Sequence, residues 1–298
     1  MNIIDIINKK RMNGELSLDE LKFVVNGFLD GTVLDCQMSS LLMAIVLNGM
    51  TEEETFNLTD VMLESGHVID LSNIDGIKVD KHSTGGVGDK TSLILVPLVA
   101  SCGVKVAKMS GRSLGHTGGT IDKLESIDGF NVNLTNEQFI NQVNNVGCAL
   151  VSQTKELVPA DKKIYALRDL TGTVESIPLI ASSIMSKKLA SGVDKIVIDV
   201  KVGNAAFMKD LESARKLANL MVKIGKNKGR DTICVLTNMD EPLGNNIGNA
   251  LEVRESIEVL KGNGPSDLKE IILTLSSLMV SLGKNIDIAS ALEQVKQN

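Results

Sequence analysis

Two stretches of the 298-residue chain place glycines, hydroxyls and lysines at a spacing suited to binding an anion. The first is Lys81-His82-Ser83-Thr84-Gly85-Gly86-Val87-Gly88-Asp89-Lys90-Thr91-Ser92. Its three glycines let the backbone approach a ligand, and successive N–H groups ahead of a helix offer positive potential to a phosphate. Lys81, Ser83 and Ser92 add a charge and two hydroxyl donors. The second stretch runs from Lys108 to Glu125 and contains four glycines, with Lys108, Ser110 and Thr120 as the matching donors. The first loop follows neither the Walker A nor the GxGxxG spacing, so generic nucleotide-binding readings lose support. A tight strand-to-helix turn explains one such loop by geometry alone. Two loops with the same chemistry point to a phosphate site.

Such loops need strands to launch them and helices to receive them. Short β-branched runs at 77–80, 104–109, 195–202 and 232–237 alternate with helical stretches at 89–101, 136–146 and 210–228. That alternation predicts a parallel sheet covered by helices, in which loops at the carboxyl ends of neighbouring strands converge on one crevice. The first 66 residues read instead as helices, with capping-box spacing at Ser17–Glu20 and Thr51–Glu54 and stop signals at Gly31 and Gly66. Residues 155–192 turn helical again, with Pro159 and Pro178 near helix starts and Gly192 at a stop. The expected architecture is an α/β fold with a small split all-helical domain, 1–66 and 155–192. A larger α/β domain with a mainly parallel sheet takes 67–154 and 193–298.

Composition narrows the function. With one Tyr, six Phe and no Trp, the chain lacks the stacking rings of single-stranded nucleic-acid binders. A net charge of −6 argues further against nucleic acid. Lys78 to Lys123 nonetheless holds seven Lys/Arg against three Asp, a local +4 that would attract a small anion. No apolar run approaches the length of a membrane span, and the N-terminal residues lack the order of a signal peptide. Cys36, Cys102, Cys148 and Cys234 are too scattered for a metal knuckle or a disulfide framework, which fits a reducing cytoplasmic setting.

The second glycine loop, Ser110-Gly111-Arg112 through Thr117-Gly118-Gly119-Thr120 to Leu124-Glu125, resembles the signature of the thymidine and pyrimidine-nucleoside phosphorylase family at every defined position. The first loop, Pro159–Asp169, Ser176–Lys188 and Pro242-Leu243-Gly244 are similar to the same family, in order along the chain. The similarity is greatest to the pyrimidine-nucleoside phosphorylases of Gram-positive bacteria. It implies reversible phosphorolysis of uridine, thymidine or deoxyuridine to free base and pentose 1-phosphate. The fold it implies is that of class II nucleoside phosphorylases, shared with anthranilate phosphoribosyltransferase. Family chains are longer, so the α/β domain is expected to be incomplete at its C-terminal end.

Carried over by motif, the resemblance implies a phosphate set of Lys81, His82, Ser83, Ser92, Lys108, Met109, Ser110 and Thr120. It implies a base set of Tyr165, Arg168, Ser183 and Lys187, with His82, Arg168 and Lys187 as catalytic groups. Spacing agrees: Tyr165 and Arg168 are i,i+3 and Ser183 and Lys187 are i,i+4, so each pair shares a helix face. Arg168 and Lys187 would meet the pyrimidine carbonyls, Ser183 would meet N3, and His82 would donate to the leaving base. The base-bearing and phosphate-bearing domains are expected to close on each other and exclude water. The resemblance also implies potassium at Gly88, Lys90, Leu243, Asn246 and Glu255, although Lys90 stands where the family carries a small hydroxyl residue. No organic cofactor is implied. A homodimer through the N-terminal helices is implied, whereas nucleic-acid and membrane partners are not. His67 reads as surface, and His116 has no assigned role. Two competing readings are an anthranilate phosphoribosyltransferase-like enzyme and a truncated, inactive ligand-binding paralogue.

Overall fold

The computed structural model describes residues 1–112, 118–154 and 156–298. Helices α1 (Ile3–Arg11), α2 (Leu18–Asp30), α3 (Asp35–Asn48) and α4 (Glu52–Glu64) open the chain. Strand β1 (Val79–Ser83), helix α5 (Thr91–Ser101), strand β2 (Val106–Ser110), the short helix α6 (Thr120–Leu124), helix α7 (Asn136–Val146) and strand β3 (Cys148–Ser152) follow. Helices α8 (Pro159–Thr171) and α9 (Ile177–Ala190) precede β4 (Lys195–Val202), α10 (Leu211–Asn227) and β5 (Asp231–Asn238). Helices α11 (Asn249–Leu260), α12 (Ser266–Lys284) and α13 (Ile288–Gln297) complete the order.

Contacts divide the chain into two compact units, one of 1–69, 154–191 and 219–228, the other of 70–153, 192–218 and 229–298. The first is helical. Its capping boxes form as the spacing requires: Ser17 Oγ accepts from Glu20 N at 3.2 Å, and Thr51 Oγ1 accepts from Glu54 N at 3.1 Å. Glu54 does more than cap. Buried, it accepts from Lys10 Nζ at 2.7 Å and from Leu16 N at 2.8 Å, so one carboxylate ties α1 to the start of α4. The segment 219–228 packs with these helices, although the sequence reading leaves all of 193–298 in the α/β part. Lys223 pairs with Glu52 and Lys228 Nζ lies 2.7 Å from Asp60, so α10 and the residue that follows it each have a charged anchor on α4.

The second unit is α/β. β1 pairs parallel with β4 from Val79↔Lys195 to Ser83↔Asp199, and β4 with β5 from Lys195↔Asp231 to Val202↔Asn238. β2 pairs parallel with β3, and an isolated bridge, Lys78↔Lys105, links the two ladders. Its core is aliphatic, centred on Val79, Ile94, Leu95, Val197, Leu275 and Met279. Burying such side chains stabilises by about 1.5–3 kcal/mol each, so aromatics are not needed to fill it. Among the described residues no single helix is long and apolar enough to cross a membrane.

Candidate active site

The parallel pairing sets β1 and β4 so that Lys81 and His82 face Val197 and Ile198 in register, with Ser83 opposite Asp199. Beyond Ser83 the chain leaves the strand but stays tied to β4. Thr84 N donates to Asp199 O at 3.0 Å, and Thr84 Oγ1 accepts from Lys201 N at 2.9 Å. Asp89 closes the loop by accepting from Thr91 N at 3.2 Å and Thr91 Oγ1 at 2.6 Å, and its carboxylate also bonds the Ser83 hydroxyl.

The lysines expected to meet phosphate are buried and paired. Lys81 Nζ lies 2.5 Å from Thr91 Oγ1, 3.4 Å from Asp199 Oδ2 and 3.7 Å from Asp89 Oδ2. Lys108 Nζ lies 3.3 Å from Asp80 Oδ1 and donates to the carbonyl of Lys81. Lys201, missed by sequence reasoning, lies 2.8 Å from Asp199 Oδ2, an ion pair whose geometry is not aligned as a hydrogen bond. Three lysines thus face three aspartates. The excess charge read from sequence is met by acids outside the basic stretch, Asp194 on Lys78, Glu255 on Lys90, Glu252 on Lys123 and Glu125 on Arg112. Burial opposes ionisation of Asp89, but Lys81 and Lys201, with the Ser83 and Thr91 hydroxyls, hold its carboxyl well below the usual range. Burial would likewise pull the Lys201 ammonium down, yet Asp89 and Asp199 hold it above its ordinary value.

The other members of the phosphate set are placed around this network. Ser92 lies buried in the first turn of α5, Met109 and Ser110 end β2 as buried residues, and Thr120 opens α6 half-buried. His82 is half-buried on β1 and, by strand alternation, shares the face of Asp80 rather than that of Lys81 and Ser83. His116 and the adjoining signature residues 113–117 lie outside the described residues. His67 is exposed, in line with its surface reading.

The base set assembles within the helical unit, on α8 and α9. Lys187 Nζ donates to Ser183 Oγ at 2.7 Å and to Asp161 Oδ2 at 2.5 Å. The Tyr165 ring centre lies 5.5 Å from Arg168 Cζ and 5.8 Å from Lys187 Nζ, within cation–π range. Arg168 does not extend freely towards a ligand. Its Nε, Nη1 and Nη2 donate to the carbonyls of Thr173, Leu179 and Val174 at 3.1, 3.1 and 2.6 Å. Burial pulls this guanidinium down to about 10, against the influence of Asp161 and Tyr165. With five donors on a guanidinium, only part of its capacity remains for a substrate. Asp161 was missed, although its place one turn before Tyr165 and seven residues before Arg168 puts it on the same face. Its Oδ1 is buried with no hydrogen-bond partner among the described residues.

The residues proposed for potassium also converge, but on an ammonium. Lys90 Nζ donates to Leu243 O at 2.8 Å, to Asn246 O at 2.7 Å and to Glu255 Oε2. Burial would raise the Glu255 carboxyl, but the bond to Lys90 and those from Asn245 and Asn246 hold it below its ordinary value.

The chain matches the glycosyl transferase family, helical bundle domain, over residues 4–66, and the glycosyl transferase family, a/b domain, over 75–298. It is 59% identical over 297 residues to a pyrimidine-nucleoside phosphorylase of Staphylococcus epidermidis, covering all of this chain and 68% of the relative. It is 58% identical to a protein of the same name from Bacillus subtilis, covering all of this chain and 70% of that one. Among solved structures it superposes on anthranilate phosphoribosyltransferase from Thermus thermophilus with a TM-score of 0.77 at 16% identity, over 98% of this chain and 94% of that one. At that identity the likeness is one of fold.

Proposed function

This chain belongs to the pyrimidine-nucleoside phosphorylase family, and from that membership we infer that it catalyses the reversible phosphorolysis of pyrimidine nucleosides. The observation that carries the reading is 57–59% identity to curated phosphorylases along essentially the whole chain. It is supported by the Tyr165, Arg168, Ser183 and Lys187 cluster held between α8 and α9. A phosphate oxygen attacks C1′ while the C1′–N1 bond breaks, giving pentose 1-phosphate and the free base. The leaving pyrimidine takes the bonding electron pair, so negative charge grows on its ring and carbonyl oxygens. Lys187, oriented by Asp161 and Ser183, stabilises that charge, and the remaining donors of Arg168 bond a pyrimidine carbonyl. Ser183 meets N3, and His82 donates to the base as it leaves. Lys81, Ser83, Ser92, Lys108, Ser110 and Thr120 receive the attacking phosphate.

The anthranilate phosphoribosyltransferase reading rests on shared architecture alone, and the phosphorylases are far nearer in sequence. Release of uracil or thymine from uridine or thymidine that depends on added phosphate is the expected result. Folded protein that releases no base with phosphate present would overturn the assignment and leave a ligand-binding protein.

We extend the proposal to assembly and location. Helices α1 and α3 expose Ile4, Met43 and Leu47, apolar side chains that a second copy would cover in a homodimer. Sedimentation at micromolar concentration should give twice the chain mass, and a monomer would remove this part of the proposal. A cytoplasmic setting accords with four free thiols.

A further inference from the structure

An ammonium has three N–H bonds and no acceptor. Lys90, fully buried, directs all three at oxygen: the carbonyls of Leu243 and Asn246 and the Glu255 carboxylate. The cradle is assembled independently of the lysine. Glu255 Oε1 accepts from Asn245 N at 2.9 Å and Asn246 Nδ2 at 3.0 Å, and Oε2 accepts from Asn246 N at 3.2 Å. Two glycines make room for it. A Cβ at Gly244, where φ is +71°, would stand 2.6 Å from Glu255 Oε2 and 2.9 Å from Lys90 Nζ, and a Cβ at Gly88, φ +74°, would stand 2.7 Å from Leu243 O. Two carbonyls and a carboxylate form the kind of oxygen donor set that takes a monovalent cation. Ammonium and potassium have the same charge and nearly the same size. A potassium ion does not fit beside Lys90, because the donors are already used and the two positive charges would stand within contact distance of each other.

The neighbours of Lys90 give this placement a purpose. Asp89 and Thr91, on either side, hold Lys81 and Ser83. A second buried lysine, Lys123, donates to Asp89 O at 2.8 Å and lies 2.6 Å from Glu252. Two cationic tethers therefore fix the loop that leads into α5.

We propose that the Lys90 side chain is a built-in replacement for a monovalent cation, so that this protein keeps its phosphate loop ordered, and turns over, without potassium. The proposal rests on the phosphorylase reading only for the expectation that a cation is used at all. Its test compares the protein and its Lys90→Thr variant in potassium, sodium and choline chloride at matched ionic strength. Melting temperature, phosphate affinity by calorimetry and phosphate-dependent uracil release are measured. The unmodified protein should give the same melting temperature and phosphate affinity in choline as in potassium. Lys90→Thr should bind phosphate at least about tenfold more weakly in choline and recover in potassium, a linkage the parent lacks. A parent whose melting temperature or phosphate affinity rises when potassium replaces choline would overturn the proposal. So would a folded Lys90→Thr that binds phosphate like the parent in choline. If that variant does not fold, the parent's salt comparison decides alone. If the parent releases no base in any salt, the phosphorylase reading fails while melting temperatures still decide the role of Lys90.

Discussion

The candidate phosphate network of the α/β unit and the candidate base cluster of the helical unit hold their cations differently. In the α/β unit, Lys81, Lys108 and Lys201 lie among Asp80, Asp89 and Asp199, so each positive charge meets a carboxylate before any ligand arrives. In the helical unit, Arg168 gives three donors to neutral carbonyls, and Lys187 meets one carboxylate and one hydroxyl. On the proposed reading, a phosphate brings its full charge with it, so the lysine–aspartate network would have to be stable without the ligand and then exchange one anion for another. A pyrimidine is neutral until its glycosidic bond breaks. On the same reading, its site would gain from Arg168, whose guanidinium meets neutral carbonyls rather than a carboxylate in the ground state.

Four experiments can break or sharpen that contrast. Lys81→Met should have the largest effect, because it strips the carboxylates of Asp89 and Asp199 of a buried partner. Losing one member of such a pair typically costs about 3–5 kcal/mol, read here from urea unfolding. Unchanged stability would mean that the aspartate–lysine network is not what supports the loop. Lys187→Met should lower phosphate-dependent base release about 10²–10³-fold while phosphate affinity by calorimetry stays within error. Loss of phosphate affinity in that variant would dissolve the division of labour between the two sets.

Acid should separate the units next. The Asp89 carboxyl is held below its ordinary value of 3.8, so the stability it contributes is present above that pH. It is lost as pH falls through the lower folded value. Protection factors in β1 and α5, corrected for the intrinsic pH dependence of exchange, should therefore fall on acidification below that point, and Asp89→Asn should remove the dependence. An acid response identical in the variant would exclude Asp89 as its source. Thr51→Ala should have the smallest effect, about 1 kcal/mol from one lost helix cap. Exchange should quicken in the first turn of α4 and stay unchanged in the α/β unit. Equal quickening in both would contradict a local role for that cap.

Much of the fold was legible because apolar periodicity and turn chemistry agree. α7 and β4 run over the residues that their patterns predict, and both capping boxes close. β3 was missed because Cys148-Ala-Leu-Val-Ser152 is five residues long, has one β-branched side chain and follows α7 with only Gly147 between them. β1 extends to Ser83 rather than stopping at Asp80 because main-chain pairing with β4 continues through polar Lys81 and His82, against their strand propensity. α5 begins at Thr91, two residues later than its pattern suggests, because Asp89 folds back onto Thr91.

Of the candidate site, the cations and hydroxyls could be named from sequence, and the acids that pair with them less readily. Asp80, Asp89, Asp199 and Asp161 escaped notice because a lysine suggests an anion from outside, and nothing in linear spacing tells that strand pairing sets Asp199 opposite Ser83. Asp161 had a readable signal in its helix face. The carbonyls that occupy Arg168 had none, because backbone acceptors are the same at every residue.

The one tyrosine of a tryptophan-free chain stands in the base cluster, with cationic groups 5.5 and 5.8 Å from its ring centre. Excited at wavelengths longer than the phenylalanine band, this protein therefore emits from a single address. A change in its intensity at constant absorbance reports on the surroundings of that ring, which include Arg168 and Lys187, without a label. On the proposed reading, nucleoside binding should alter that phenol's emission once absorption by the added pyrimidine is corrected for, and Tyr165→Phe should abolish the signal.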